Sequence, residues 1–286
     1  MVPHSSGNVA RLRLKRTPHT IARWRGGRIV GMAGVLSNLY LIADETRLGA
    51  VALGVIDTGL PTDIRRLDEF IRTEWRGCQI TVVAIVLTHL HFDHVGGAML
   101  AHNLMSAPIC MSRPASALFT SASAVAMPSV GDWSREILPI WAKQGFGVPR
   151  VYDLRHAWYA GLPRIRPRDL VTRPIWLADG DGVPGLADWT VVYTPGHTID
   201  HICVVNRRRQ LLFSGDFILN FSGHGEFNQF VTDKAAMRAS IRGLRETQAR
   251  FVFPGHGRPF AGVNVGQRVT DVSQSSPKDT GDTRIS

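Results

Sequence analysis

Three histidines and an aspartate fall within six residues, His89, His91, Asp93 and His94, in the stretch TVVAIVLTHLHFDHVGG. Neutral imidazole and carboxylate, without thiolate, are donors that zinc, iron(II) or manganese(II) accept. Residues two apart in extended chain project to one side, so His89 and His91 can share one ion. Where the chain turns toward Val95, Asp93 and His94 can address a second. Later segments supply more donors: VVYTPGH ends at His197, LLFSGD at Asp216 and FVFPGH at His256. Seven donors exceed the needs of one tetrahedral ion, so two divalent ions are expected, zinc first, with iron(II) or manganese(II) also suited. Two ions about 3.5 to 4 Å apart can bridge a water, lower its pKa toward neutrality and polarise a carbonyl or phosphoryl oxygen. That is hydrolytic chemistry, and no G-x-S-x-G supplies a serine nucleophile instead. Asp57, closing AVALGVID, is the candidate carboxylate that would orient a ligand histidine.

Each donor closes an apolar run, and strand ends gather along one edge of a sheet. The segments RIVGMAGVLSNLYLIAD and AVALGVIDTG read as paired strands. PTDIRRLDEFIRTEW then places Ile64, Leu67, Ile71 and Trp75 at helical spacing, with Thr62 or Asp63 as N-cap behind Pro61. ITVVAIVLTH follows as a strand, which makes a right-handed βαβ unit whose ligands collect beyond the carboxyl ends of the strands. WTVVYTPGH, ICVVNRRRQLLFSGD and RFVFPGH are further strands, with a turn near Asn206 to Gln210. TDKAAMRASIRGLRE is a helix that aligns Met237, Ile241 and Leu244. Gly96, Gly97, Gly196, Gly215 and Gly255 would let backbone approach closely at the crowded edge. Residues 112–175, rich in proline and tryptophan, break the rhythm and read as an insertion packed over one end of the domain.

The 286 residues suit a single α/β domain with ragged ends. A 44% apolar and 20% charged composition, with no apolar run near 18 residues, excludes a membrane span. Three cysteines without CxxC exclude a thiolate zinc site or a disulfide scaffold and read as buried thiols. The net charge of +10 is mostly terminal: Met1 to Ala43 carry seven basic residues and no acidic one. Residues 1–18 are therefore read as a disordered basic tail, and 262–286 as a second disordered tail. The Arg-rich start resembles a mitochondrial transit peptide in composition, but its helical amphipathicity is poor, and a cytoplasmic location is expected. His4, His19, His102 and His156 read as surface or capping residues, and His201 as a supporting or packing residue. His224, in FSGHGEFN, is a candidate substrate contact, with a loop hydrogen bond as the equal alternative.

HLHFDH followed by TPGH, SGD and PGHG resembles the motif of the metallo-β-lactamase-fold metallo-hydrolases, with every motif position filled between about residues 25 and 260. The resemblance implies an α/β fold: an αββα sandwich of two mixed β-sheets flanked by helices, spanning 19–261, with 112–175 as a helical or irregular insertion over the active-site edge. It implies that His89, His91 and His197 hold metal one, that Asp93, His94 and His256 hold metal two, and that Asp216 bridges them. Asp93 would also orient the nucleophile and pass its proton to the leaving group, the attack coming from a metal-bridging hydroxide.

The wording HLHFDHVGG is most similar to hydrolases of carboxylic esters, thioesters and lactones, such as glyoxalase II, lactonases and thioesterases. A small-molecule substrate and no nucleic acid are therefore expected. Two features depart from those relatives. Glyoxalase II carries a C-terminal helical domain not seen here, and lactonases have a shorter stretch than the 103 residues from His94 to His197. β-Lactam hydrolysis itself is not expected without a secretory signal. The alternatives are a ribonuclease Z-like phosphodiesterase, a persulfide dioxygenase-like oxidoreductase with a single iron, and a non-enzymatic sensor.

Overall fold

Strands that are apolar on both faces need a covering layer on each side. β2 (Gly27–Ala33), β3 (Asn38–Arg47), β4 (Ala50–Ile56) and β5 (Gln79–Val86) are of this kind. Their side chains alternate between two cores: Ile29, Ile42, Ile56 and Val86 face one, Val30, Leu41, Val55 and Ile85 the other. The computed structural model describes residues 13–47, 49–120, 140, 142–143, 153, 173–223 and 225–261.

The first sheet adds β1 (His19–Trp24), β6 (Ile109–Ser112) and β7 (Ile175–Leu177) and runs in order β1 to β7. It is antiparallel as far as β4 and parallel from β4 to β7. The second sheet contains β8 (Thr190–Tyr193), β9 (Ile202–Asn206), β10 (Leu211–Gly215), β13 (Phe251–Pro254) and β14 (Phe260–Ala261), ordered β14-β13-β10-β9-β8. Only β10 and β13 run parallel within it. A small ribbon of β11 (Ile218–Leu219) and β12 (Glu226–Phe227) follows β10.

The two sheets face each other across an aromatic core in which Phe213 lies 5.3 Å from Tyr40, 5.0 Å from Phe253 and 5.4 Å from Trp189, ring centroid to centroid. The outer faces carry helices. α1 (Pro61–Glu74) puts Ile64, Leu67 and Ile71 on the first sheet, and α3 (Ala98–Met105) adds Ala98 and Ala101 to the same core. α2 (Phe92–Val95) is a single turn after β5, and α4 (Ala115–Thr120) follows β6. α5 (Lys234–Arg245) lays Met237 and Leu244 on the second sheet against Cys203, Val205, Leu212 and Val252. This is the expected αββα sandwich of two mixed sheets. Among the described residues, no helix is long and apolar enough to cross a membrane.

Two details differ from the sequence reading. The N-cap of α1 is Leu60, with Pro61 at the first helical position. Asp63 instead sits at the third position, where Oδ2 accepts the Leu60 N–H at 3.0 Å, while Asp153 caps Thr62 from outside the helix, Oδ1 accepting its N–H at 2.9 Å. Second, the chain is already held before residue 19: Lys15 O accepts the Ala33 N–H at 2.8 Å, and Leu14 packs on the inter-sheet core. Residues 1–12, 262–286 and most of 112–175, His4 and His156 among them, lie outside the described residues, so the tails and the insertion stand as expectations. Cys110 and Cys203 are buried free thiols, pushed up to about 12 by burial, whereas Cys78 is only half-buried.

Candidate metal centre

Every expected donor leaves a strand at the same edge of the sandwich. Thr88 and His89 follow β5, and His91 is the N-cap of the single turn α2, which carries Asp93 and His94. His197 follows β8, Asp216 follows β10 and His256 follows β13. The edges are tied across the sheets: Asn38 on β3 donates from Nδ2 to Pro254 O at 2.9 Å, Tyr40 Oη donates to the same carbonyl at 2.8 Å, and Ile202 N–H donates to Thr88 O at 2.8 Å. Glycine allows the crowding. A Cβ on Gly255 would sit 2.5 Å from Asp216 Oδ1, and one on Gly215 would meet Thr88 Oγ1 at 2.7 Å.

The structure brings all seven donors together in two groups. Donor atoms of His89, His91, His197 and Asp216 lie within 4.8 Å of one another, as do those of Asp93, His94 and His256. Asp216 joins the groups: Oδ2 is 3.9 Å from His89 Nε2, 3.8 Å from His197 Nε2 and 3.3 Å from His256 Nε2, while Oδ1 is 3.1 Å from His94 Nε2. Asp93 Oδ2 lies 3.2 Å from His256 Nε2. All are buried except His91, which is half-buried and closest to solvent.

The tautomers are set from behind. His94 Nδ1 faces Asp57 Oδ2 at 2.9 Å, and Asp57 also accepts from Thr88 N–H at 2.8 Å and Thr88 Oγ1 at 2.9 Å. With its own proton given to Asp57, Thr88 Oγ1 can accept from His89 Nδ1 at 3.1 Å. His197 Nδ1 donates to Phe230 O at 2.8 Å. Each of these imidazoles therefore keeps a proton on Nδ1 and turns Nε2 inward, as a ligand histidine does. Asp57 has the orienting contact expected of it, and it adopts the left-handed backbone, φ +58°, to make it.

Burial, then the neighbouring His197, pushes His91 down to about 3, and burial holds His89 and His197 below the usual imidazole value. Burial also lowers His94 and His256, but Asp216 and Asp93 outweigh it, raising His94 well above its ordinary value and His256 to about 9. The same contacts overcome the burial that would raise Asp93 and Asp216, and hold both carboxyls low. Nevertheless, His89 Nε2, His94 Nε2 and Asp216 Oδ1 have no hydrogen bond of acceptable geometry among the described residues. Buried polar atoms in a native fold are normally partnered. Inward Nε2 atoms, whose second protons on His94 and His256 a bound cation would displace, two ionised carboxylates and orphaned donor atoms are the surroundings that divalent cations satisfy, so the residues fit such ions.

The model of the metallo-beta-lactamase superfamily matches residues 33–256 of the chain. The chain belongs to that superfamily. Over 260 residues it is 24% identical to YflN of Bacillus subtilis (strain 168), named a probable metallo-hydrolase, which covers 85% of this chain and 89% of that one. Acyl-coenzyme A thioesterase MBLAC2 of Gallus gallus is 30% identical over 220 residues, 72% of this chain and 69% of its own. A solved metallo-beta-lactamase family protein of Thermus thermophilus shares the fold, with a TM-score of 0.55 at 22% identity over 87% of this chain and 78% of that one. This member of the metallo-beta-lactamase superfamily is a metal-dependent hydrolase.

Several supporting groups in this metallo-beta-lactamase superfamily site carried no sequence signal. Phe230 O acts through its backbone. Thr88 and Asn228, whose Nδ2 lies 3.2 Å from His197 Nδ1, are ordinary polar residues in loops. Asp200 accepts a backbone hydrogen bond from Leu90, between His89 and His91, and burial pushes its carboxyl up to about 6. His201, read as a supporting residue, is fully buried with its ring 5.2 Å from that of His89, and Nδ1 lies 2.8 Å from Thr194 Oγ1. His102 caps the end of α3 through Ala107 O at 2.7 Å. His224 lies outside the described residues.

Proposed function

We propose that the chain is a dinuclear hydrolase of small-molecule acyl esters, with thioesters the leading class and carboxylic esters and lactones the others. The observation that carries this reading is Asp216, whose two oxygens reach His89 and His197 on one side and His94 and His256 on the other. A carboxylate so placed suits a bridge between two ions. His89, His91 and His197 would hold one, and Asp93, His94 and His256 the second, with zinc the leading metal from the donor chemistry. The completeness of the second group supports two ions over a single-iron oxidoreductase. The name of the chicken relative, an acyl-coenzyme A thioesterase, supports the thioester class.

Two divalent ions held there would supply Lewis acidity and a water of near-neutral pKa. The chain's own residues do the rest. Asp93 is ionised, 7% exposed and beside His256, placed to orient the attacking water and hold its proton. Its proton goes on to the leaving thiolate or alkoxide as the bond from acyl carbon to sulfur or oxygen breaks. Asp57 and Thr88 fix His94 and His89, so the donors need no rearrangement during turnover. The half-buried His91, with the Phe230 ring 6.2 Å away, marks the open side from which an acyl group approaches.

The test is metal content per chain by plasma mass spectrometry, paired with turnover of thioester, ester and lactone panels by chelator-treated and metal-reconstituted protein. Close to two ions per chain and metal-dependent thioester cleavage are expected. One iron per chain with no hydrolysis would overturn the reading.

A further inference from the structure

We propose that a cavity beside His256 is a subsite for an anionic group, phosphate or carboxylate, carried by the substrate; this deepens the hydrolase reading and rests on it. The cavity floor is built from the two loops that leave the metal centre. Asn220, four residues after Asp216, donates its N–H to His256 O at 3.2 Å, and Arg258 N–H donates to Asn220 O at 2.8 Å. Asn220 Nδ2 returns a hydrogen bond to Arg258 O at 2.9 Å, and Asn38 Nδ2 ties Gly257 O to β3 at 2.9 Å. The same backbone that places Asp216 and His256 therefore places Arg258.

Arg13, Lys143 and Arg258 line this cavity together with Phe221, and the Lys143 ammonium lies 5.8 Å from the Phe221 ring centroid. Its volume is about 110 Å³. Roughly 10 to 15 Å³ of such space holds one water, so the cavity has room for a phosphate or carboxylate group. No carboxylate is present among the described lining residues, and the three cations have no ion pair among the described residues. Cations converging on a concave surface without an acid repel one another and focus a positive field, which an anion relieves. Gly257, which lines the cavity, directly follows His256 in the chain.

The experiment uses the full metal-loaded chain and three thioesters with the same scissile bond. The first is a neutral acyl group on coenzyme A, with phosphates on the leaving thiol. The second is the same acyl group on N-acetylcysteamine, which has no anion. The third is a dicarboxylic half-thioester of N-acetylcysteamine, with its anion on the acyl side. One charged substrate should exceed the neutral one in kcat/KM by about tenfold or more, mainly through KM, and which one it is identifies the source of the anion. Arg258→Glu should erase that preference, and Arg13→Ala should reduce it; both side chains are exposed, and unchanged melting temperatures confirm folding. Hydrolysis of all three with the same preference in wild type and Arg258→Glu would overturn the subsite while leaving the hydrolase reading intact. Turnover of none of them, nor of the ester and lactone panels, would overturn the hydrolase reading instead. The subsite then stands or falls on calorimetric titration of chelator-treated protein with inorganic phosphate, which should bind wild type and not Arg258→Glu.

Discussion

Two buried polar clusters are built on opposite terms. At the start of α1, Asp63 is fully buried, yet its oxygens accept from Val35 N–H at 3.0 and 3.1 Å and from Leu60 N–H at 3.0 Å, with Arg66 at 3.7 Å. Beside it the Thr62 hydroxyl donates to Asp153 at 2.8 Å. At the metal centre, by contrast, His89 Nε2, His94 Nε2 and Asp216 Oδ1 are equally buried and have no hydrogen bond of acceptable geometry among the described residues. Desolvated polar atoms cost free energy unless partnered. The Asp63 and Thr62 side chains recover that cost within the chain, although Arg66 Nη1 beside them has no hydrogen bond among the described residues, so their role is architectural. The metal centre does not recover it among the described residues, and a divalent cation is the partner its donors fit.

The most damaging change on this view is Asp216→Ala, which takes the shared carboxylate from both donor groups. With several kcal/mol of transition-state stabilisation tied to the pair of ions, kcat/KM should fall by at least about a thousandfold while circular dichroism stays native. Activity within tenfold of wild type would end the joined-cluster reading. Asp63→Ala should do the reverse. Stranding the Val35 and Leu60 N–H groups should cost about 2 to 4 kcal/mol in urea unfolding, with kcat per folded molecule retained. A loss of kcat without loss of stability would move Asp63 from the scaffold to the site.

This contrast was only half legible in the sequence. Imidazole and carboxylate at strand ends are conspicuous, and the apolar runs of β4 and β5 with the spacing of Ile64, Leu67 and Ile71 between them were enough for the βαβ unit, whereas the sandwich followed only from the resemblance of the histidine motif to the metallo-β-lactamase-fold hydrolases. The partners that decide satisfaction were not legible. Phe230 O and Leu60 N–H are backbone groups that any residue could supply. The N-cap of α1 was misplaced because Leu60 has no capping side chain, so that Asp63, which serves from the third position, looked like the cap itself. Asp153, 91 positions away from Thr62, comes from a segment with no periodicity to place it.

The satisfied cluster also predicts a pH dependence that the variant Asp63→Asn should remove. Burial, partly offset by the Leu60 and Val35 hydrogen bonds, raises the Asp63 carboxyl from 3.8 to about 6. The folded state thus binds this proton more tightly than the unfolded state. The stabilisation is fully present below pH about 4 and is lost as pH rises through about 6, with a slope of at most about 1.4 kcal/mol per pH unit. Subtracting the urea stability of Asp63→Asn from that of wild type at each pH cancels the groups common to both. A difference that rises with pH would reverse the assignment.

Asp57 belongs to both kinds of cluster and gives the sharpest test of the division. Like Asp63 it is fully partnered, by Thr88 N–H, Thr88 Oγ1 and His94 Nδ1. Unlike Asp63, one of its partners points its other nitrogen at the orphaned centre. If Asp57 were scaffold alone, Asp57→Asn would destabilise chelator-treated and metal-loaded protein equally. If it orients His94, the amide can no longer accept the Nδ1 proton as a carboxylate does, and the loss concentrates in the metal-loaded state. Competition titration with a chromophoric chelator should then show affinity falling about 10- to 100-fold for one ion, the effect expected of a lost orienting carboxylate. The ion that His89, His91 and His197 would hold should weaken less, because His89 reaches Asp57 only through the Thr88 hydroxyl.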